Sequence, residues 1–282
     1  MRPARGVLAL AVALGACGGP APLADGALFR DARALAATPD GTLWVVDAEA
    51  VLALRAGLVV GRVGGVGTGA DAFLDPVDVD PTNGQTIFVA DRAAGAVLQF
   101  TAEGRLATTY PIYDVDPARP VRQTGGPRER TRAQPVAVAA GPDGALYVAD
   151  AGRRHVLKLD AEGAVERVLG AGALVEPVGL AVADDGTLWV ADAGRGVLLS
   201  FDPFGAPGVA RDLPAALGRL AAVAASGGRL VAVGDAGVVG LGPDGASAVV
   251  PAPGLRGAAL VGGRLAGLTP TRLVDLGDAG LD

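Results

Sequence analysis

The chain has one cysteine in 282 residues, which excludes an internal disulfide and any cysteine-cluster metal site. His155 is its sole histidine, Lys158 its sole lysine and Asn83 its sole asparagine. Aromatic residues make up only 4% of the chain although half of it is hydrophobic, and 44 glycines with 20 prolines supply many turns. That mix suits many short strands packed through Ala, Val and Leu better than long helices. The formal charge of −6 excludes the basic footprint that nucleic acid requires. The one clearly apolar N-terminal run, VLALAVAL at residues 7–14, is too short to span a bilayer.

That run has the form of an export signal. Arg2 and Arg5 give a positive N-terminal region, and residues 7–14 are its apolar centre. Leu14-Gly15-Ala16-Cys17 follows and resembles a bacterial lipobox. The resemblance implies diacylglycerol transfer to Cys17, cleavage before it, and acylation of the new amino terminus, giving a lipid-anchored protein of the bacterial cell envelope. The alternative is an ordinary cleavage site followed by a chance cysteine. On the lipobox reading, residues 1–16 are the signal peptide and 17–22 a short tether. Loss of Arg2 and Arg5 leaves 22 basic against 30 acidic residues in the mature chain.

The remainder, 23–282, is built on one repeated sentence, clearest in PDGALYVADAGRRHVLKLDAEG at 142–163. Short apolar runs bounded by Pro-Asp-Gly and Asp-x-x-Gly turns predict strands in tight succession. The same strand recurs as TLWVVD (42–47), TIFVAD (86–91), ALYVAD (145–150) and TLWVAD (187–192), then in worn form as RLVAVGD (229–235) and RLAGL (264–268). The spacings between these copies are 44, 59, 42, 42 and 35 residues. A pitch near 42 with four strands per unit predicts an all-β, six-bladed β-propeller of four-stranded antiparallel blades. The last unit lacks a fourth strand, and residues 27–30 are expected to supply it and so close the ring.

The pattern Pro-x-Gly-Leu-Ala-Val followed by Asp-Gly-x-Leu-Trp-Val-Ala-Asp-Ala-Gly-Arg, best seen in 134–205, resembles the NHL repeat. The linker at 64–76 also looks like that family's inter-repeat segment. The resemblance implies a six-bladed propeller but no single activity, since such propellers include lyases, hydrolase relatives and pure binding modules.

Trp44, Phe88, Tyr147 and Trp189 share one repeat position, which predicts packing between blades rather than a ligand cage. Asp47, Asp91, Asp150 and Asp192 share another. They are expected to accept backbone N–H bonds in their own loops, the alternative being a carboxylate ring for a cation such as Ca²⁺. Asp78 and Asp80 differ in lying where other units carry Ala137, Ala139, Gly179 and Ala181, so they are candidate metal ligands of the central channel. The channel metal site of NHL-type amidating lyases needs several histidines, which this chain lacks. Asn83 sits in a turn, against the pattern of Ca²⁺-dependent lactonases. No cofactor is predicted, with Ca²⁺ the one ion weighed. The glycine-rich stretch 61–69 leads to Pro76 and a strand rather than a helix, so it is no dinucleotide site.

Residues 105–134 break the rhythm by lengthening the second unit. They hold Tyr110, Tyr113, Arg119, Arg122, Arg128, Arg130 and Arg132, and Arg153 and Arg154 are expected on the same face. Together these are the candidate partner-binding residues, suited to an anionic protein or polysaccharide. The sequence therefore favours a non-enzymatic binding or scaffolding module over an envelope hydrolase or lyase with its site at the channel mouth.

Overall fold

The computed structural model describes residues 28–65, 69–81, 84–113, 132–242 and 245–278. Cys17, Asn83, Arg119, Arg122, Arg128 and Arg130 lie outside them, as do the proposed signal and tether.

Six antiparallel sheets follow one another along the chain. Blade 1 is β1 (Ala32–Ala37), β2 (Leu43–Asp47), β3 (Ala50–Arg55) and β4 (Leu58–Val63). Blade 2 is β5 (Pro76–Asp80), β6 (Thr86–Asp91), β7 (Ala96–Thr101) and β8 (Leu106–Pro111). Blade 3 is β9 (Pro135–Ala140), β10 (Leu146–Asp150), β11 (His155–Leu159) and β12 (Val165–Leu169). Blade 4 is β13 (Pro177–Val182), β14 (Leu188–Asp192), β15 (Val197–Phe201) and β16 (Pro207–Asp212). Blade 5 is β17 (Leu220–Ser226), β18 (Arg229–Gly234) and β19 (Gly237–Gly242), with an outer strand in two pieces, β20 (Gly245–Ala246) and β21 (Val250–Pro251). Blade 6 is β22 (Gly257–Val261), β23 (Arg264–Leu268) and β24 (Leu273–Asp275). One 3₁₀ turn, Ala215–Leu217, is the only helical element among the described residues.

Local chemistry explains the strands. Pro76, Pro135 and Pro177 each open an inner strand, where the missing N–H costs no ladder bond. The first turn of blade 3 reverses at Gly144 (φ 80°), and Asp143 Oδ1 accepts the Ala145 amide at 3.2 Å.

The inner strands β1, β5, β9, β13, β17 and β22 each pack on the next, and β22 packs back on β1. The propeller is therefore a closed ring. Its core is divided into six apolar seams, one per blade junction. Trp44 packs with Val79, Ile87 and Val89 of blade 2, Tyr147 with Leu180 and Leu188 of blade 4, and Trp189 with Leu220 and Val223 of blade 5. Phe88 faces the seam with Val138 and Leu146. The repeated aromatics are thus the keys between blades, each burial contributing about 1.5–3 kcal/mol.

The N-terminal segment joins the last blade, as expected, and its described residues 28–31 do so without strand geometry. Leu28 and Phe29 donate their amides to Thr271 O at 2.8 and 3.1 Å, and Ala32 donates to Pro270 O at 2.8 Å. Arg30 and Asp31 donate to Asp47 Oδ1 at 2.9 and 2.8 Å. These bonds turn residues 28–31 across the loop before β24, and leave them outside any strand. Side chains complete the closure, with Phe29, Ala32, Leu35 and Leu43 packed on Ala259, Leu268 and Leu273.

Candidate functional site

The edges of the six inner strands enclose a central channel of about 660 Å³. Most of its wall is Ala, Val, Leu and Gly, because the innermost strands converge where only small side chains fit. Its charged lining residues are Arg33, Asp78, Asp80, Asp184 and Arg256, and of these Asp78 and Asp80 share the one strand β5. Asp78 Oδ2 accepts the Val138 amide at 2.9 Å, and Asp80 Oδ2 accepts the Ala140 amide at 2.8 Å. Val138 and Ala140 lie two apart on β9, so both donors project from its unpaired inner edge. The carboxylates thus join neighbouring blades by satisfying edge amides that would otherwise face the channel. Burial pushes the Asp78 carboxyl up to about 7; the Val138 and Val79 amides pull it down and nearby Asp80 adds to the rise.

Among the described residues no three acidic, imidazole or thiol groups come together. Both carboxylates are engaged by backbone amides, whereas Ca²⁺ takes roughly six to eight oxygen ligands.

The repeated aspartates are loop fasteners. Asp91 accepts the amides of Leu74, Asp75 and Ala94 at 2.7, 3.0 and 3.0 Å. Asp192 does the same for Val175, Glu176 and Arg195 at 2.8, 2.9 and 3.2 Å. Each therefore ties its own loop and also the connection that enters the blade 16–17 residues earlier, a longer reach than the sequence suggests. Asp235 of the worn fifth unit keeps the role, accepting Arg219 N at 2.8 Å. His155 is fully buried opposite Asp150, with Nε2 3.7 Å from Asp150 Oδ2.

One face of the ring carries the loops after these aspartates and the connections between blades. Around the channel mouth on this face, the residue before each inner strand is Asp31, Asp75, Gln134, Glu176, Arg219 or Arg256. Arg33 bonds both Asp75 and Asp31 (3.1 Å to the latter), Arg92 pairs with Asp75 at 2.8 Å, and Arg256 reaches Asp31 at 3.7 Å. Arg219 pairs with Glu176. Burial alone would raise the Asp75 carboxyl, but Arg33 and Arg92 outweigh it and hold the group below its usual range. The mouth is charged yet internally neutralised. Alignment of the units on the position before each inner strand shows this ring, which a search for catalytic motifs passes over.

On the same face, the long connection of blade 2 is pinned at both ends. Ile112 donates to Gly95 O at 2.9 Å, Ala133 donates to Ile112 O at 3.0 Å, and Tyr113 bridges Arg132. The Arg132 guanidinium lies over the Tyr113 ring, 5.0 Å from its centroid. The loop bearing Arg153 and Arg154 is tied alongside by the Ala151 amide, 3.0 Å from Gln134 O, and both arginines are exposed. The structure thus stacks Arg132 on Tyr113 and ties the loop of Arg153 and Arg154 to Gln134, two residues on from Arg132. Tyr110 is not among them: it lies within β8 against Gly163 of blade 3, and its hydroxyl donates to Gln99 Oε1 at 2.8 Å. The period-two alternation of a strand turns it into the seam, which its nearness to Tyr113 in sequence conceals.

No protein-family model and no curated protein matches the chain. Among solved structures, a gluconolactonase of Xanthomonas campestris superposes with a TM-score of 0.66 at 20% identity, covering 87% of this chain and 85% of that one. A streptogramin B lyase gives 0.62 at 14% identity, covering 88% and 84%. A catalytically inactive virginiamycin B lyase of Staphylococcus aureus with quinupristin gives 0.59 at 12%, again covering 88% and 84%. At these identities the likeness defines the class of fold, the six-bladed propeller.

Proposed function

We propose that this protein is a lipid-anchored NHL-type propeller of the bacterial cell envelope, a non-enzymatic module that binds an anionic partner. The observation that carries the reading is the Tyr113–Arg132 stack at the base of the long connection, beside exposed Arg153 and Arg154. Near this patch the described acids have other partners: Asp75 is held by Arg33 and Arg92, and Asp91 and Asp150 are buried on backbone amides. A planar guanidinium set on an aromatic ring is preorganised for bidentate contact with a carboxylate or sulfate.

Replacement of Arg128, Arg130 and Arg132 by Ala tests this with a poly-glutamate peptide and polygalacturonate as probes. Capture is expected to fall at least tenfold at low salt, with the melting temperature unchanged and the difference shrinking as salt rises. A second reading, an enzyme acting in the channel, has specific support from Asp78, a carboxyl poised near neutrality. The lyases and lactonase among the fold neighbours are consistent with it. Unchanged capture in the triple variant, with loss in Asp78→Asn, would transfer the function to the channel.

A further inference from the structure

A second cavity, of about 370 Å³, opens between blades 1 and 2 on the face opposite the arginine patch. Its origin lies in one repeat position, the residue paired with the seam aromatic on the third strand. In blade 2, Phe88 is paired with Gln99, whose side chain receives the Tyr110 hydroxyl. In blade 3, Tyr147 is paired with Lys158, whose ammonium lies 6.0 Å from the ring centroid and donates to Pro203 O at 3.2 Å. In blade 4, Trp189 is paired with Ser200, which exchanges bonds with Val209 at 3.1 and 2.8 Å. In blade 1, Trp44 faces Ala53, and Gly84 and Gly104 of blade 2 complete the far wall. The position therefore varies between blades, and in blade 1 the junction is open.

The lining offers an aromatic surface and one cation left over. Trp44 is 7% exposed, and its indole Nε1–H has no hydrogen-bond partner among the described residues. That nitrogen is covered, so the carbon surface of the ring rather than its N–H lines the cavity. The charges of the lining point the same way. Asp40 is paired with Arg55, and Thr38 and Thr42 hold its carboxyl down at about 2. Glu103 accepts from Thr101 at 2.8 Å and pairs with Arg105 at 3.4 Å. Arg62 alone of the charged lining residues has no counter-ion among the described residues.

We infer that this cavity is a binding site for a small organic carboxylate, its anion taken by Arg62 and its carbon frame laid against Trp44 and Ala53. A single hydroxylated ring fits the volume, and its carboxylate is the counter-ion that Arg62 lacks among the described residues. The site lies on the other face from the arginine patch and stands whether or not that patch binds a partner.

The chain has two tryptophans, so Trp189→Phe makes Trp44 the only indole reporter. Titrating that variant of the full chain with glucuronate is expected to give a saturable change in Trp44 fluorescence, and glucose, of similar shape without the charge, is expected to give none. Arg62→Gln should weaken the response at least tenfold. Ala53→Gln, which installs the side chain of blade 2 in blade 1, should abolish it. Arg62 is exposed, so its replacement leaves folding intact and keeps the test decisive. No saturable response to glucuronate overturns the proposal, as does an equal response to glucose or one that survives both substitutions.

Discussion

Asp78 is the residue at which stability and pH are most directly linked. An unfolded aspartate loses its proton near pH ~4, whereas Asp78 in the folded channel wall holds its proton until about 7. Between those values the folded state binds the extra proton, so this group's contribution to stability falls as pH rises through the window. Asp78→Asn keeps an oxygen for the Val138 amide and removes the charge beside Asp80. It is expected to raise the melting temperature at pH 8 by at least about 2–4 °C, with a gain much reduced at pH 5. Thermal denaturation of both proteins at the two pH values checks this, and a pH-independent difference would refute it. The recurrent aspartates act through the backbone amides they accept. Their role was legible because a turn aspartate one strand-length after an apolar run has backbone amides within reach. Their second set of donors was not, since those lie in the previous connection.

At the scale of elements, the ring depends on its seams more than on its strand edges. Five blades carry outer strands, and the sixth meets the N-terminal segment through Phe29, which is 5% exposed. Phe29→Ala empties the closing seam and is expected to cost about 3–5 kcal/mol. Phe204 is 79% exposed on a turn, so Phe204→Ala is expected to stay within about 0.5 kcal/mol of the parent. Urea denaturation of the two variants makes the comparison, and equal midpoints would show that the seam does not close the ring. Backbone fit matters at one linker position in particular. Gly64 has φ 66°, and a Cβ there would fall 2.1 Å from Phe73, whose ring meets Phe100 edge-on at 5.6 Å. The glycine of that linker thus makes room for the aromatic that seals the first seam.

For the whole molecule, the proposed anchor would decide where the propeller works. If Cys17 carries the lipid, Cys17→Ser should move the protein from the membrane pellet to the soluble fraction or leave the precursor uncleaved. Fractionation with mass determination of the amino terminus reads this, and a soluble, unmodified wild-type protein would remove the anchor from the proposal. The number of blades, the antiparallel order and the burial of Trp44, Tyr147 and Trp189 followed from the sequence alone, because each depends on contacts within one repeat or on a position all repeats share. The tertiary structure decided what depends on neighbours distant in the chain. Asp78 and Asp80 meet amides 60 residues away, Tyr110 turns into a seam while Tyr113 stays beside the arginines, and Ala53 opens a cavity only because Gly84 and Gly104 stand opposite. Periodicity sets the fold since every unit repeats the same local chemistry, but a site arises where one unit departs from the others. What such a departure faces is set by ring closure, which no single repeat encodes.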